Sequence, residues 1–306
     1  MARNLLVLAI AIAAGAAPGC KGDDFQGQDQ DTDFDTEGHE FAISGPCAPN
    51  TLVGGVEAAS RDAGGFQYGV VSGAITDGVN WNTTAQLLQD EGECKLYEYS
   101  LWSCSPACEG GEICDNEEEC VPFPANLDWG RVYVDGLVKW VMMEPDTSFN
   151  YQYQDIANPP FVADEPIVLW AEGGEGTEEI LLDGMGVTPL VVENKDYMMY
   201  DNTDMEVTWT PADDAAGEIY GEFMIDQHGA SKRWIYCTWE DDGSGIVPAN
   251  LVHELYLDWT ATPNPGFATA RLFRRTVDHV QLPQGCAELR VLSQVQLNLD
   301  YVPPTK

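Results

Sequence analysis

CKLYEYSLWSCSPACEGGEICDNEEECVPFP, residues 94–124, divides the chain in two. Cys104, Cys108, Cys114 and Cys120 fall close together, with Cys94 just upstream. Pro106, Gly110, Gly111, Pro122 and Pro124 break any helix or long strand here. A segment with so little apolar surface needs covalent staples to hold a shape. The spacing is C-x3-C-x5-C-x5-C, without the CxxC knuckle of most tetrahedral zinc sites, so disulfides are expected instead. We expect an interlaced knot, Cys104–Cys114 with Cys108–Cys120, and a Cys47–Cys94 bond closing the region before it. Nested or neighbouring pairings stay open, because eight cysteines allow 105 connectivities.

Outward from the knot, the composition fixes a compartment. The 306 residues carry 14 basic and 51 acidic side chains, a net charge of −37. Such a surface repels phosphate backbones, which excludes nucleic acid as a partner. The chain opens MARNLLVLAIAIAAGAAPGC. Arg3 supplies a positive start, and Leu5 to Ala14 form an apolar run too short to span a bilayer. Small residues then lead to Cys20. The stretch resembles a bacterial lipoprotein signal, with Ala17 standing where that pattern has Leu. The resemblance implies cleavage after residue 19, lipid on Cys20, and a membrane as partner through that lipid. An ordinary cut near Ala16 and Ala17, with Cys20 spare, is the competing reading. Parity favours lipidation. Of nine cysteines, removing Cys20 leaves Cys47, Cys94, Cys104, Cys108, Cys114, Cys120, Cys237 and Cys286, an even set for an oxidising compartment.

Residues 20–45 read as an acidic disordered tether, rich in Asp, Gln, Gly and Thr. Asp29, Asp31, Asp33, Asp35 and Glu40 fall at EF-hand-like spacing, but Phe34 stands where the loop needs Gly, so no metal site is expected. From 46 to 124 we expect a small β-rich region containing the knot at 94–120. Residues 51–59 and 66–76 form a hairpin across an Asp-Ala-Gly-Gly turn, residues 84–89 a short helix, and residues 95–101 a strand. From 125 to 302 the turn signals recur regularly. Strands are expected at 130–143, 149–155, 167–171, 180–183 with 190–192, 205–209, 217–226, 233–239, 268–277 and 287–299, with one helix at 248–255. The fold class is thus all-β, an antiparallel sandwich of Ig-like or jelly-roll-like kind behind a stapled region. The last four residues, 303–306, are a tail. A Cys237–Cys286 bond would pin the last strand, worth roughly 4 kcal/mol by chain entropy for a loop of about 50 residues.

The lipoprotein-like start, GECKL, CSPACEGGEIC…CVPFP and the following GRVYVDGL are similar to predicted secreted lipoproteins of myxobacterial type. That resemblance implies an envelope location, at the outer membrane or cell surface, and β-rich modules. It brings no catalytic residue and no cofactor.

Catalytic patterns fail one by one. His253-Glu254 begins HExxH, but Leu257 occupies the second histidine position. Gly243-Ser244-Gly245 lacks the spacing of a nucleophile elbow. There is no P-loop and no GxGxxG. His39, His228, His253 and His279 are scattered, and no carboxylate pair stands out as a glycosidase dyad. The expectation is a non-enzymatic envelope lipoprotein that displays a β-rich binding or structural surface. A carbohydrate-binding or carbohydrate-active surface protein is the first alternative, since some of the nine Trp and twelve Tyr could line a sugar-binding face, although most belong in the core of a sandwich. A calcium-stabilised adhesin is the second.

Overall fold

Strand formation begins where the sequence turns apolar, at Leu52. In the computed structural model the described residues are 40–100, 102–175, 177–212, 217–225, 232–261 and 268–302. The first strands are β1 (Leu52–Ala63), β2 (Phe66–Ile75), β3 (Ala85–Glu91) and β4 (Cys94–Tyr99). The knot carries β5 (Glu112–Cys114) and β6 (Cys120–Pro122). Then follow β7 (Val132–Asp135), β8 (Val141–Met143), β9 (Tyr151–Tyr153), β10 (Pro166–Ala171), β11 (Ile180–Met185), β12 (Asp196–Met199) and β13 (Met205–Thr208). The chain closes with β14 (Glu218–Ile225), β15 (Arg233–Trp239), β16 (Ser244–Val247), α1 (Ala249–Ala261), β17 (Ala268–Leu282) and β18 (Gly285–Tyr301).

The all-β fold class holds, with the helix where Pro248 predicts its start; the Asp204 carboxylate accepts the Ala249 N–H at 2.7 Å. Ten strands make one large sheet, ordered β3-β4-β15-β14-β17-β18-β1-β2-β9, with β12 also on β18. Four more make a second sheet, ordered β11-β10-β7-β8. Most pairings are antiparallel, but β1 and β12 both run parallel to β18, one after the other along the same edge.

That topology corrects the expected division at residue 124. The β1 strand lies beside the last strand, and β4 lies beside β15, so residues 46–124 complete the sheet that the later strands begin. Residues from Phe41 onward are one unit, and the knot is an insertion between β4 and β7. Two disulfides change accordingly. Cys94 bonds Cys237, the residue directly opposite it on β15, and Cys47 bonds Cys286 at the start of β18. The expected Cys47–Cys94 and Cys237–Cys286 bonds would need two separate sheets. The interlaced knot is as expected, Cys104–Cys114 with Cys108–Cys120.

Four smaller expectations also shift. Within the expected helix over 84–89, residues 85–89 are strand, because β3 finds a partner in β4 across a turn at Gly92, whose φ of +75° suits glycine. The run 130–143 breaks into β7 and β8 at Gly136, and residues 190–192 lie outside any strand. The tether expected over 20–45 ends sooner. The N–H groups of Ala42, Ser44 and Cys47 donate to the carboxylates of Asp183, Asp278 and Glu288 at 2.7–2.8 Å, and Gly45 donates to the Val277 carbonyl. Buried carboxylates supply what apolar residues do not. Residues 1–39 and 303–306, with the expected signal, Cys20 and tail, lie outside the described residues.

Two cores share one face of the large sheet. The first packs Val56 and Ala58 of β1, Val71 of β2 and Leu289 and Val291 of β18 against Val132, Val141, Ile167 and Leu182 of the small sheet. The second packs Val295, Leu297 and Leu299 of β18, Leu272 of β17 and Ile219 and Phe223 of β14 against β12, β13, β16 and Leu251, Val252 and Leu255 of α1. Between them β17 and β18 place Arg274 opposite Ser293. Arg274 is 1% exposed. Its guanidinium donates to Asp241 at 2.7 Å and to the carbonyls of Thr188, Pro189 and Thr210. The Ser293 hydroxyl accepts the Leu190 N–H.

Expressed alone in an oxidising host, residues 125–302 lack β1 beside β18, β4 beside β15, and the sulfur partners of Cys237 and Cys286. We predict that this fragment shows no cooperative thermal transition, whereas the chain from residue 41 onward melts cooperatively. A sharply melting 125–302 fragment would contradict the topology.

Candidate functional site

Alternation on the small sheet sends one side chain inward and the next outward. Inward go Val132, Val134, Val141, Ile167, Leu169 and Leu182. Outward, directly paired across four strands, go Met142, Tyr133, Trp170 and Leu181. The Tyr133 and Trp170 rings stack at 4.9 Å and 21°. Trp140, just before β8, sits 5.7 Å from Tyr133 and is 46% exposed.

Carboxylates fix this row. The Tyr133 hydroxyl donates to Glu172 at 2.8 Å, and the Trp170 Nε1–H donates to Glu179 at 2.6 Å. Burial, and then the Glu172 carboxylate, push the Tyr133 phenol above its ordinary pKa. Arg131 pairs with Glu144 at 3.4 Å beside it. Trp140 has no hydrogen-bond partner among the described residues. The sequence shows the alternation at 132–134, but not that Trp140 stays outside while Trp129, Trp209, Trp234 and Trp239 are buried. A Trp-to-core assignment by hydrophobicity alone misses it.

In other polar clusters several groups are committed to structural partners. A surface cleft of about 610 Å³ is lined by Glu93, Glu218, Glu240, Asp241 and Asp242. Asp241 there serves Arg274 and the Trp209 Nε1–H, and Glu218 pairs with Arg275. On the outer face of the large sheet, Glu222 pairs with Arg271 at 2.8 Å, and the Arg275 guanidinium lies 3.7 Å from the Tyr220 ring centroid. Burial outweighs the Arg271 charge and hydrogen bonds, so Glu222 sits above the ordinary carboxyl range.

The sequence-marked residues fall apart in space. All eight cysteines after Cys20 are in disulfides. The sulfurs of Cys104, Cys108 and Cys120 lie within 4.8 Å of one another, yet those bonds leave no thiolate to ligate zinc. The imidazole of His253 meets Asp201 at 2.6 Å, and that of His279 meets the Gly45 carbonyl at 2.9 Å. Neither joins a nucleophile. His39, His228 and the aspartates 29, 31, 33 and 35 lie outside the described residues. No helix among the described residues is long and apolar enough to cross a membrane.

No family model and no curated protein matches the chain. Among solved structures it is similar to chicken CNTN1 FN1-FN3 domains at 8% identity and a TM-score of 0.19. The match covers 72% of this chain and 66% of that one.

Glu222 yields a pH test. Its folded pKa is raised, so the folded state keeps a proton that the unfolded chain releases. Its contribution is therefore full below the unfolded pKa of about 4.3 and is lost as pH rises through the folded value. Glu222→Gln, which cannot ionise, should gain stability relative to wild type between pH 4 and pH 7 in denaturant titrations. A difference independent of pH would contradict the assignment.

Proposed function

We propose that the chain is an exported, non-catalytic lipoprotein, anchored through Cys20, that presents a binding surface from the cell envelope. The surface is the outer face of the four-stranded sheet. The observation that carries this reading is the Met142–Tyr133–Trp170 row with Trp140 beside it: Met142 and Trp140 are exposed, Tyr133 is buried against the Trp140 and Trp170 rings, and carboxylates hold Tyr133 and Trp170 in place on a sheet whose other face is core. Phe66 is more exposed, at 70%, but sits on a hairpin tip with no such support. Four disulfides agree with an oxidising compartment. The nine-cysteine parity agrees with lipid on Cys20.

In a bacterial host, wild-type chain should take up a palmitate analogue and fractionate with membranes. Cys20→Ser should lose the label and move to the soluble fraction. The oxidised mature protein should turn over nothing in a broad hydrolase screen. An unlabelled wild type, or turnover, would overturn this reading.

A further inference from the structure

We propose that the face around Trp140 binds a neutral polysaccharide, with a pyranose ring stacked on the Trp140 indole. This rests on the displayed-surface reading above and adds the ligand class. Three properties of the site lead there.

The first is size. The row crosses four strands, three gaps of about 4.8 Å each, so it is about 14 Å wide and one or two side chains deep. A stable protein interface covers about 800 Å² on each partner, several times what this row offers. A single extended polymer chain fits the available strip.

The second is charge. The protein carries −37, and Glu144, Glu172 and Glu179 rim the row. Anionic polymers are repelled. Arg131, bound to Glu144, keeps the rim from being a bare cation trap. A polyhydroxyl chain without charge meets no penalty on either count.

The third is chemistry. A pyranose has an apolar face of C–H groups and a rim of hydroxyls. Trp140 offers an exposed indole and an Nε1–H with no protein partner among the described residues. Glu179 spends one oxygen on orienting a ring, Glu172 uses one on the Tyr133 hydroxyl and the other on the Arg131 N–H at 3.4 Å, and an ionised carboxylate has about four lone-pair positions. The remaining ones accept sugar hydroxyls. Because Tyr133 and Trp170 are already hydrogen-bonded in place, binding costs little ordering of the row.

The test is affinity electrophoresis of the oxidised mature protein through gels containing mixed-linkage glucan, galactomannan, arabinogalactan or xylan, with alginate as the anionic control. At least one neutral polymer should retard the wild type and alginate should not. Trp140→Ala should weaken the retardation about tenfold or more, Trp140→Phe should keep part of it, and Phe66→Ala should keep all of it. Near-ultraviolet circular dichroism and melting confirm that each variant is folded. Retardation by none of the neutral polymers, or retardation indifferent to Trp140→Ala in a folded protein, overturns the proposal. A chain that takes up lipid and turns over no substrate, yet ignores every polymer, overturns the ligand class alone. One that also fails the labelling and turnover tests overturns the displayed-surface reading with it.

Discussion

The parallel pairing of β1 with β18 is the constraint on which the rest of the molecule depends. The first long strand is inserted beside the last, from Leu52 against Cys286 to Asp62 against Val295. Parallel neighbours cannot be joined by a tight turn, and here nearly the whole chain is the crossover. The approach is close enough that a β-carbon on Gly55 would run into the Glu288 carbonyl. Once β1 is seated, β2 and β9 extend the sheet on one side. The disulfide Cys47–Cys286 then fastens the chain just before β1 to the start of β18. A second bond, Cys94–Cys237, does the same for β4 at the other end. Both close long loops, the case in which chain-entropy arguments give a disulfide its largest effect.

A strand as long as β18 can serve two cores only if something divides them. The divider is the polar seam of Arg274, Ser293, Thr276 and Asp278. A buried guanidinium is costly unless every direction is answered, and Arg274 meets one carboxylate and three carbonyls. Thr276 and Asp278 bond the backbone of Met185 and Asp183, clamping the edge strand of the small sheet to the large one. Polar residues here fix which loops cross the middle of the sheet, while the apolar residues on either side supply the burial.

Local signals carried the elements well and the connections poorly. The 62–65 turn, the alternation of β14 and β15, and Pro248 ahead of α1 are all legible from residues close in sequence. The knot was legible for the same reason, since its four cysteines have few partners within reach. Cys47, Cys94, Cys237 and Cys286 were not, because their pairing follows from strand order across 143 and 239 residues of separation. The same blindness placed a domain boundary at the knot. Residues 84–89 misled because a short segment takes its form from its neighbour, here β4. The candidate surface was half legible. Alternation orients Tyr133, but only the fold puts Trp170 and Trp140 beside it.

The small sheet exposes one face, and the larger sheet behind it is stapled by two long-range disulfides. The account stands on strand order, and strand order is written in the long-range disulfides. Peptic digestion of the unreduced protein at acid pH, followed by mass spectrometry, reads them without exchange. The topology predicts linked peptides joining Cys47 to Cys286 and Cys94 to Cys237. Peptides joining Cys47 to Cys94 and Cys237 to Cys286 would contradict it, and would return the chain to two separate domains.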